Sequence, residues 1–257
     1  MQYVMHAGHG EFPRIVFTPG TLEESFKLTR LAFMLAEKYH TQVYIMCDKL
    51  LLESRATTAT FPDTYTNPRF SFAANPLPED NSYNRFEITQ EGYSPRSVPG
   101  QQHGLQLTNS YEHDKHGYAT EEAQMTKDMV EKRMRKFNGI INEVPCPLLL
   151  GPSEAETTLV CWGSTRLVVE EILRQLNTNG AQKVNAIHLM TMIPFKKKEF
   201  IDLASKAKKL VMIEGNATHQ AANYIREQTG IEITKHINRY DGRPFYAHEV
   251  IEELQKI

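Results

Sequence analysis

The apolar and polar positions change their period along the chain, and the first pattern is that of a strand, a helix and a second strand. Arg14-Ile-Val-Phe-Thr18 reads as a strand closed by the Pro19-Gly20 turn. Thr21 with Glu24 three residues later is a capping box, and Leu22, Phe26, Leu28, Leu31, Ala32, Phe33, Leu35, Ala36 and Tyr39 recur at helical spacing. Val43-Tyr-Ile-Met-Cys47 is a continuous apolar run of the kind found in parallel strands covered on both faces. Together these predict a βαβ unit over residues 14–48, which cannot close a core by itself.

The pattern then lapses. The 66 residues from Glu53 to Tyr118 hold only five Val, Ile, Leu or Met, but six prolines and nine Phe or Tyr. Structureless loops of this length are uncommon inside compact domains, and disordered segments are poor in aromatics. The composition therefore predicts an extended arm, ordered by packing its aromatics onto another surface. Over 119–137, Glu121, Glu122, Met125, Met129, Val130 and Met134 predict an exposed amphipathic helix ending before Asn138-Gly139. Pro145, Pro147, Gly151 and Pro152 then read as a linker.

From Thr157 onward strands and helices alternate: strands over 157–162, 183–189, 209–213 and 232–237, and helices over 165–177, 197–206, 218–229 and 247–255. That alternation predicts a doubly wound parallel α/β domain. The expected organisation is a βαβ part over 1–52, the arm over 53–150 and the α/β domain over 151–257.

Charge names no partner. With 29 Lys+Arg against 31 Asp+Glu and a net charge of -2, neither a nucleic acid nor an anionic membrane is expected. No apolar run approaches the ~20 residues of a membrane helix, Met1 is followed by no leader pattern, and a cytoplasmic location is expected. Cys47, Cys146 and Cys161 contain no C-x-x-C, which argues against a disulfide framework and against an iron-sulfur or zinc site built from this chain alone.

Gly8-His9-Gly10-Glu11 lacks the third glycine of a dinucleotide loop, and no phosphate-loop, nucleophile-elbow or H-E-x-x-H pattern occurs. Glu112-His113-Asp114-Lys115-His116 is the densest titratable cluster. It reads either as a polar turn before Gly117 or as functional groups carried on a loop. Cys161-Trp162-Gly163-Ser164-Thr165 reads as a strand-to-helix turn that either receives an anion or is capped by Ser164. Glu214 to Gln220 lies at the carboxyl end of a strand, where open α/β sheets bind ligands or partners.

In order, these segments resemble the carboxy-terminal part of the alpha subunit of 2-oxoacid:ferredoxin oxidoreductases, especially the 2-oxoglutarate type. The resemblance rests on His9-Gly-Glu-Phe-Pro-Arg-Ile-Val16 with Pro19-Gly20, Ala36-Glu-Lys-Tyr39, Asp48-Lys49, Arg85-Phe-Glu-Ile-Thr89, Ser94-Pro-Arg96, Glu112-His-Asp114 and Met129-Val-Glu-Lys-Arg-Met134. Trp162-Gly-Ser-Thr165, Pro194-Phe195, Glu214 with Asn216-Ala-Thr218 and Gln220, and Tyr240-Asp-Gly-Arg-Pro-Phe245 continue it. His219 stands where the family usually has glycine.

The resemblance implies CoA-dependent oxidative decarboxylation of a 2-oxoacid, with thiamine diphosphate and Mg2+, and with electrons passing through iron-sulfur clusters to ferredoxin. It implies that residues 1–52 end a thiamine pyrimidine-binding-type domain and that 151–257 form a transketolase carboxy-terminal-type domain. The family's thiamine and substrate motifs lie upstream of the matched part, so the chain is expected to bind no cofactor or metal alone. It is expected to act only in complex with a beta subunit and a chain supplying the front of the pyrimidine domain. Glu112, His113 and Asp114 are the active-site-adjacent candidates, expected to meet a basic group on the beta subunit. His9, Glu11, Trp162, Ser164, Glu214, Asn216, Gln220, Asp241 and Arg243 are candidates for a partner or domain interface. Two other functions compete: a non-catalytic α/β assembly module, and a small metal-dependent hydrolase using His113, His116 and Asp114.

Overall fold

The computed structural model of the chain describes residues 1–62, 68–80, 82–178 and 184–257. Residues 63–67 and 81 of the expected arm, and Lys183 at the head of the strand expected over 183–189, lie outside them. A short helix, α1 (Gln2–His6), precedes the expected βαβ unit of β1 (Arg14–Phe17), α2 (Leu22–Tyr39) and β2 (Gln42–Ile45), whose strands run parallel. A one-turn helix follows, α3 (Lys49–Glu53).

The βαβ unit is closed by elements from both later stretches. Ile15 and Phe17 face a core of Leu28, Leu35 and Tyr39 from α2, completed by Ile140 and Val144. These last two belong to the end and C-cap of α4 (Ala123–Glu143), which starts and ends later than the helix predicted over 119–137. Asn138-Gly139 does not stop it, because the Tyr39 ring fills the space where a side chain at 139 would stand and Ile140 is completely buried one residue on. The helix ends instead before Pro145, which cannot continue it.

The carboxy-terminal sheet runs, in spatial order, β3 (Leu148–Leu150), β5 (Val184–Leu189), β4 (Thr157–Trp162), β7 (Lys209–Glu214) and β8 (Lys235–Asn238). Its parallel strands are β4, β5, β7 and β8. The predicted linker supplies an additional antiparallel edge strand, β3. The last parallel strand starts later than its predicted position at 232; Ile233 is buried but lies in the approach to it. Leu159, Cys161, Val211 and Ile213 face α5 (Thr165–Thr178) and α8 (Ala247–Lys256). Val160, Ile187, Leu189 and Met212 face α6 (Lys197–Ala204) and α7 (Gln220–Thr229). Burial on both faces explains why these strands read as continuous apolar runs.

An unpredicted strand joins the two halves. One residue after β5, β6 (Thr191–Ile193) leaves that sheet and pairs antiparallel with β1. Thr18 seals the crossover, its N–H donating to Met190 O at 2.9 Å and its hydroxyl to Leu189 O at 2.7 Å.

Across its described residues the arm is extended, with isolated bridges at Phe72–Arg96 and His113–Ala119. Some aromatics pack as expected: Phe61 stacks on Phe26 and Tyr93 meets Tyr39 edge-on. The firmer attachment is polar. Lys132 Nζ of α4 donates to Phe86 O at 3.0 Å and Ser94 Oγ at 2.6 Å, and Arg135 to Thr89 O at 2.9 Å, while Lys136 ties α4 to the C-cap of α2 through His40 O at 3.1 Å. Gly92 crosses α4 so closely that a Cβ there would lie 2.4 Å from Lys132 O. Burial, with neighbouring Lys136 and Arg85, pushes Lys132 down to about 7. Burial, with Arg85 and Arg133, pushes Lys136 down to about 8.

Candidate functional site

Two loops from opposite ends of the sequence meet. The Pro19-Gly20 turn after β1 lies against the Trp162-Gly163 turn after β4, and a Cβ at Gly20 would stand 2.7 Å from Gly163 O. Glu24, in the first turn of α2, couples them. Its N–H donates to Thr21 Oγ1 at 3.1 Å, as the capping box requires. Its carboxylate accepts from Gly20 N at 2.7 Å, lies 3.1 Å from His188 Nε2 and pairs with Arg166. Burial opposes the charge, but His188, the Gly20 N–H and Arg166 hold Glu24 below the usual carboxylate range. His188 is completely buried, with Nδ1 3.9 Å from Cys161 Sγ, and burial pushes that thiol well up.

Asp48 makes a second link. As N-cap of α3 its Oδ1 accepts from Leu51 N at 3.0 Å, and its Oδ2 accepts from Ser164 N at 3.0 Å. The start of α5 thus receives an anion from within the chain. Asp48 fills the role that the sequence offers to a bound anion or to the Ser164 hydroxyl.

Beside this junction, at the carboxyl ends of β4, β7 and β8, opens a cleft of about 720 Å³ lined by α3, Trp162, Ser164, Thr165, Gly215, Arg239, Tyr240, Arg243 and Phe245. Open α/β sheets that bind ligands do so at this position. Arg239 is held by Asp241 at 3.1 Å and by Glu249, and Lys49 has Glu53 at 3.8 Å. Among the described residues no carboxylate pairs with the exposed Arg243, and the buried indole Nε1 of Trp162 has no acceptor. The lining contains no histidine or cysteine, so the cleft has the chemistry of binding an anionic group beside aromatic rings rather than of moving protons near neutrality.

The sequence candidates are dispersed. Trp162, Ser164 and Arg243 line the cleft, with Asp241 at its rim accepting from Arg243 N at 3.1 Å. Glu214 and Asn216 serve the fold of their own loop, and Gln220 reaches from it to α1. The buried Glu214 carboxylate accepts from Ala221 N at 3.0 Å, Asn216 Oδ1 accepts from Gln220 N at 3.1 Å, and Gln220 Oε1 accepts from Gln2 N at 3.4 Å. His9 and Glu11 are exposed.

Glu112, His113 and Asp114 are not in the cleft lining. Asp114 Oδ1 closes their turn by accepting from His116 N at 2.9 Å and Tyr118 N at 3.0 Å. The His113 ring lies 3.9 Å from that of Phe86. Glu112 finds a basic partner in its own chain, forking onto Arg133 at 2.9 and 2.5 Å, which holds it below the usual carboxylate range against the opposing effect of burial. Glu24, Arg166, His188, Lys49 and Arg239 were missed as site residues; the one local signal was the pairing of Glu24 with Thr21.

The described residues show no carboxylate set aside for thiamine diphosphate. Glu24, the buried carboxylate of the βαβ unit, takes Gly20 N and His188 on Oε2 and Arg166 on Oε1, and so joins the two halves of the chain. Nor do they gather an oxygen-ligand set of the kind Mg2+ requires. The three cysteines are free, one half-buried, one exposed and one buried.

Comparison with known proteins places this architecture. The family model described as pyruvate flavodoxin/ferredoxin oxidoreductase, thiamine diphosphate-binding, matches residues 2–132, taking the βαβ unit, the arm and half of α4 together. A 2-oxoacid:ferredoxin oxidoreductase alpha subunit of Aeropyrum pernix is 33% identical over 98% of this chain and 39% of its own length. The 2-oxoglutarate synthase subunit KorA of Methanocaldococcus jannaschii is 27% identical over 81% of this chain and 54% of its own. A solved 2-oxoglutarate:ferredoxin oxidoreductase from Magnetococcus marinus superposes with a TM-score of 0.85 at 25% identity, over 98% of this chain and 43% of that one. The chain thus spans about two fifths of the length of the first of these relatives. The chain belongs to the pyruvate flavodoxin/ferredoxin oxidoreductase family and is akin there to the alpha subunits of 2-oxoacid:ferredoxin oxidoreductases.

Proposed function

We propose that this chain is part of the alpha subunit of a cytoplasmic, thiamine-dependent 2-oxoacid:ferredoxin oxidoreductase. The assembled enzyme would decarboxylate a 2-oxoacid of the 2-oxoglutarate type, pass the acyl group to coenzyme A and the electrons to ferredoxin. The observation that carries the reading is the likeness, over 98% of the chain, to an enzyme described with 2-oxoglutarate, coenzyme A and succinyl-CoA bound. In this reading the thiamine, Mg2+ and iron-sulfur clusters reside on the beta subunit and on a polypeptide completing the pyrimidine domain. Residues 151–257 serve as the transketolase carboxy-terminal-type domain that holds the assembly. The cleft beside Arg243, the His113–Asp114 turn, and exposed His9 and Glu11 are the surfaces it presents to partners.

The test is reconstitution with thiamine-binding beta and complementing alpha chains, followed by viologen reduction dependent on 2-oxoglutarate and coenzyme A. Turnover is expected only with this chain present, faster with 2-oxoglutarate than with pyruvate, and reduced by Arg243→Ala. Equal rates without the chain would contradict the reading.

A further inference from the structure

The loop after β7 and the neighbouring β8 bury two ring nitrogens that no hydrogen bond satisfies. His236 stands opposite Met212, and Glu214 opposite Asn238. Side chains two apart on a strand share a face, so His236 and Glu214 lie on the face of Met212, where α7 packs through Ala221, Ala222 and Ile225. His219 comes onto that face at the start of α7, held at φ 52°, a backbone conformation that glycine adopts freely and other residues rarely.

The rings of His219 and His236 lie 4.0 Å apart, tilted by 46°, and Nδ1 of each is buried without a partner. One ligand atom from each of Glu214, His219 and His236 lies within 4.8 Å of the others, and among the described residues no other three His, Cys, Asp or Glu do so. The carboxylate has capacity left. Oε2 accepts from Asn216 Nδ2 at 2.6 Å and Ala221 N at 3.0 Å, whereas Oε1 takes only a 3.4 Å bond from Ala222 N. Buried polar atoms almost always find partners, and one cation shared by all three groups would satisfy both imidazoles.

We propose that Glu214, His219 and His236 bind one divalent transition-metal ion, Zn2+ by the chemistry of the set. Two imidazoles and a carboxylate are a zinc-type donor set with a fourth position open, whereas Mg2+ and Ca2+ call for oxygens. The ion ties the end of β7 to β8 and to the start of α7. That is next to the cleft, because Gly215 and Arg239 line it and Arg239 N donates to Glu214 O at 3.3 Å. The proposed site departs from the sequence expectation that this chain binds no metal alone. Its ligands come from a strand end, a helix start and the next strand, which no spacing motif captures. It does not depend on the oxidoreductase reading.

The test is calorimetric titration of the metal-stripped full chain with Zn2+, with Co2+ as spectroscopic probe. One-to-one binding, a melting temperature that rises with Zn2+, and the intense visible absorption of four-coordinate Co2+ are expected. His219→Gly, which suits the left-handed backbone, should keep the metal-free melting temperature and weaken Zn2+ binding by about 100-fold or more, since loss of even an outer-shell partner costs about 10- to 100-fold. His236→Gln should do the same, and it decides the matter if the first variant fails to fold. His248→Ala, on α8, should change nothing. Absence of saturable Zn2+ binding, or binding indifferent to both ligand substitutions, overturns the proposal.

Discussion

In the carboxy-terminal sheet, Leu159, Ile187, Leu189 and Met212 are completely buried beneath helices on both faces, whereas in the arm Ser94 and Ser97 are among the most buried residues. Burying an aliphatic side chain contributes about 1.5–3 kcal/mol, against about 0.5–1.5 kcal/mol net for one hydrogen bond. The sheet therefore generates its own stability, while the rest of the arm borrows a template, the face of α4 that carries Met129, Lys132 and Lys136. Segments with few buried apolar contacts open first, so the two regions should respond differently to the same perturbation.

The strongest perturbation should strike the sheet. Phe200 of α6 is completely buried, and Phe200→Ala should cost about 3–5 kcal/mol in urea unfolding; a cost below about 1 kcal/mol would contradict a core centred there. Next comes the junction. Glu24→Ala strips the carboxylate from Arg166 and His188 and should cost about 3 kcal/mol, the low end for a broken buried pair, because Arg166 keeps Glu170 at 2.8 Å. A thermal melt unchanged by it would show that the two halves are not coupled there.

Lys132→Met should act on the arm alone. It leaves Phe86 O and Ser94 Oγ without their donor, a loss of about 1–3 kcal/mol partly offset by removal of a buried charge. Limited proteolysis should then cut the arm faster and leave the sheet intact; equal acceleration in both would break the comparison. Asp114→Asn should be the mildest, under about 0.5 kcal/mol in the isolated chain, since Asn retains the acceptor that caps His116 and Tyr118. A larger loss would mean that the carboxylate's charge matters in the free chain.

The same contrast decides what was legible in the sequence. The βαβ unit and the alternating strands and helices after Thr157 were readable because apolar periodicity reports burial directly. The arm's attachment was not: Lys132 and Lys136 share the helix face of Met129 and Ile140, but a lysine's charge reads as solvent-facing, and both are buried beneath a chain crossing from far away in sequence. β6 escaped because three residues that change sheets carry no periodicity. Of the candidate site, Trp162, Ser164 and Arg243 were identified, but Asp48 entered only as part of the resemblance. Its bond to Ser164 joins residues whose proximity depends on the whole fold.

That the arm is ordered by covering the amines of α4, whose desolvation disfavours their charge, is tested most directly by hydrogen exchange between pH 7 and 9. Lys132 and Lys136 release protons near 7 and 8 in the folded state, but near the ordinary 10.5 when unfolded. Over that range the unfolded arm binds more protons than the folded one, so arm stability must rise with pH. His40, lowered to about 4 by burial and then by Arg85 and Lys136, acts in the same direction below pH 6.5. The buried Cys161 thiol, raised from its ordinary 9.0, begins to cost the sheet stability only as pH nears that value. After correction for intrinsic exchange, amides of residues 84–97 should gain protection from pH 7 to 9 while those of β4 and β5 stay level, and Lys132→Met should blunt the gain. Arm protection that is flat or falling across that range in the wild-type chain would contradict the account.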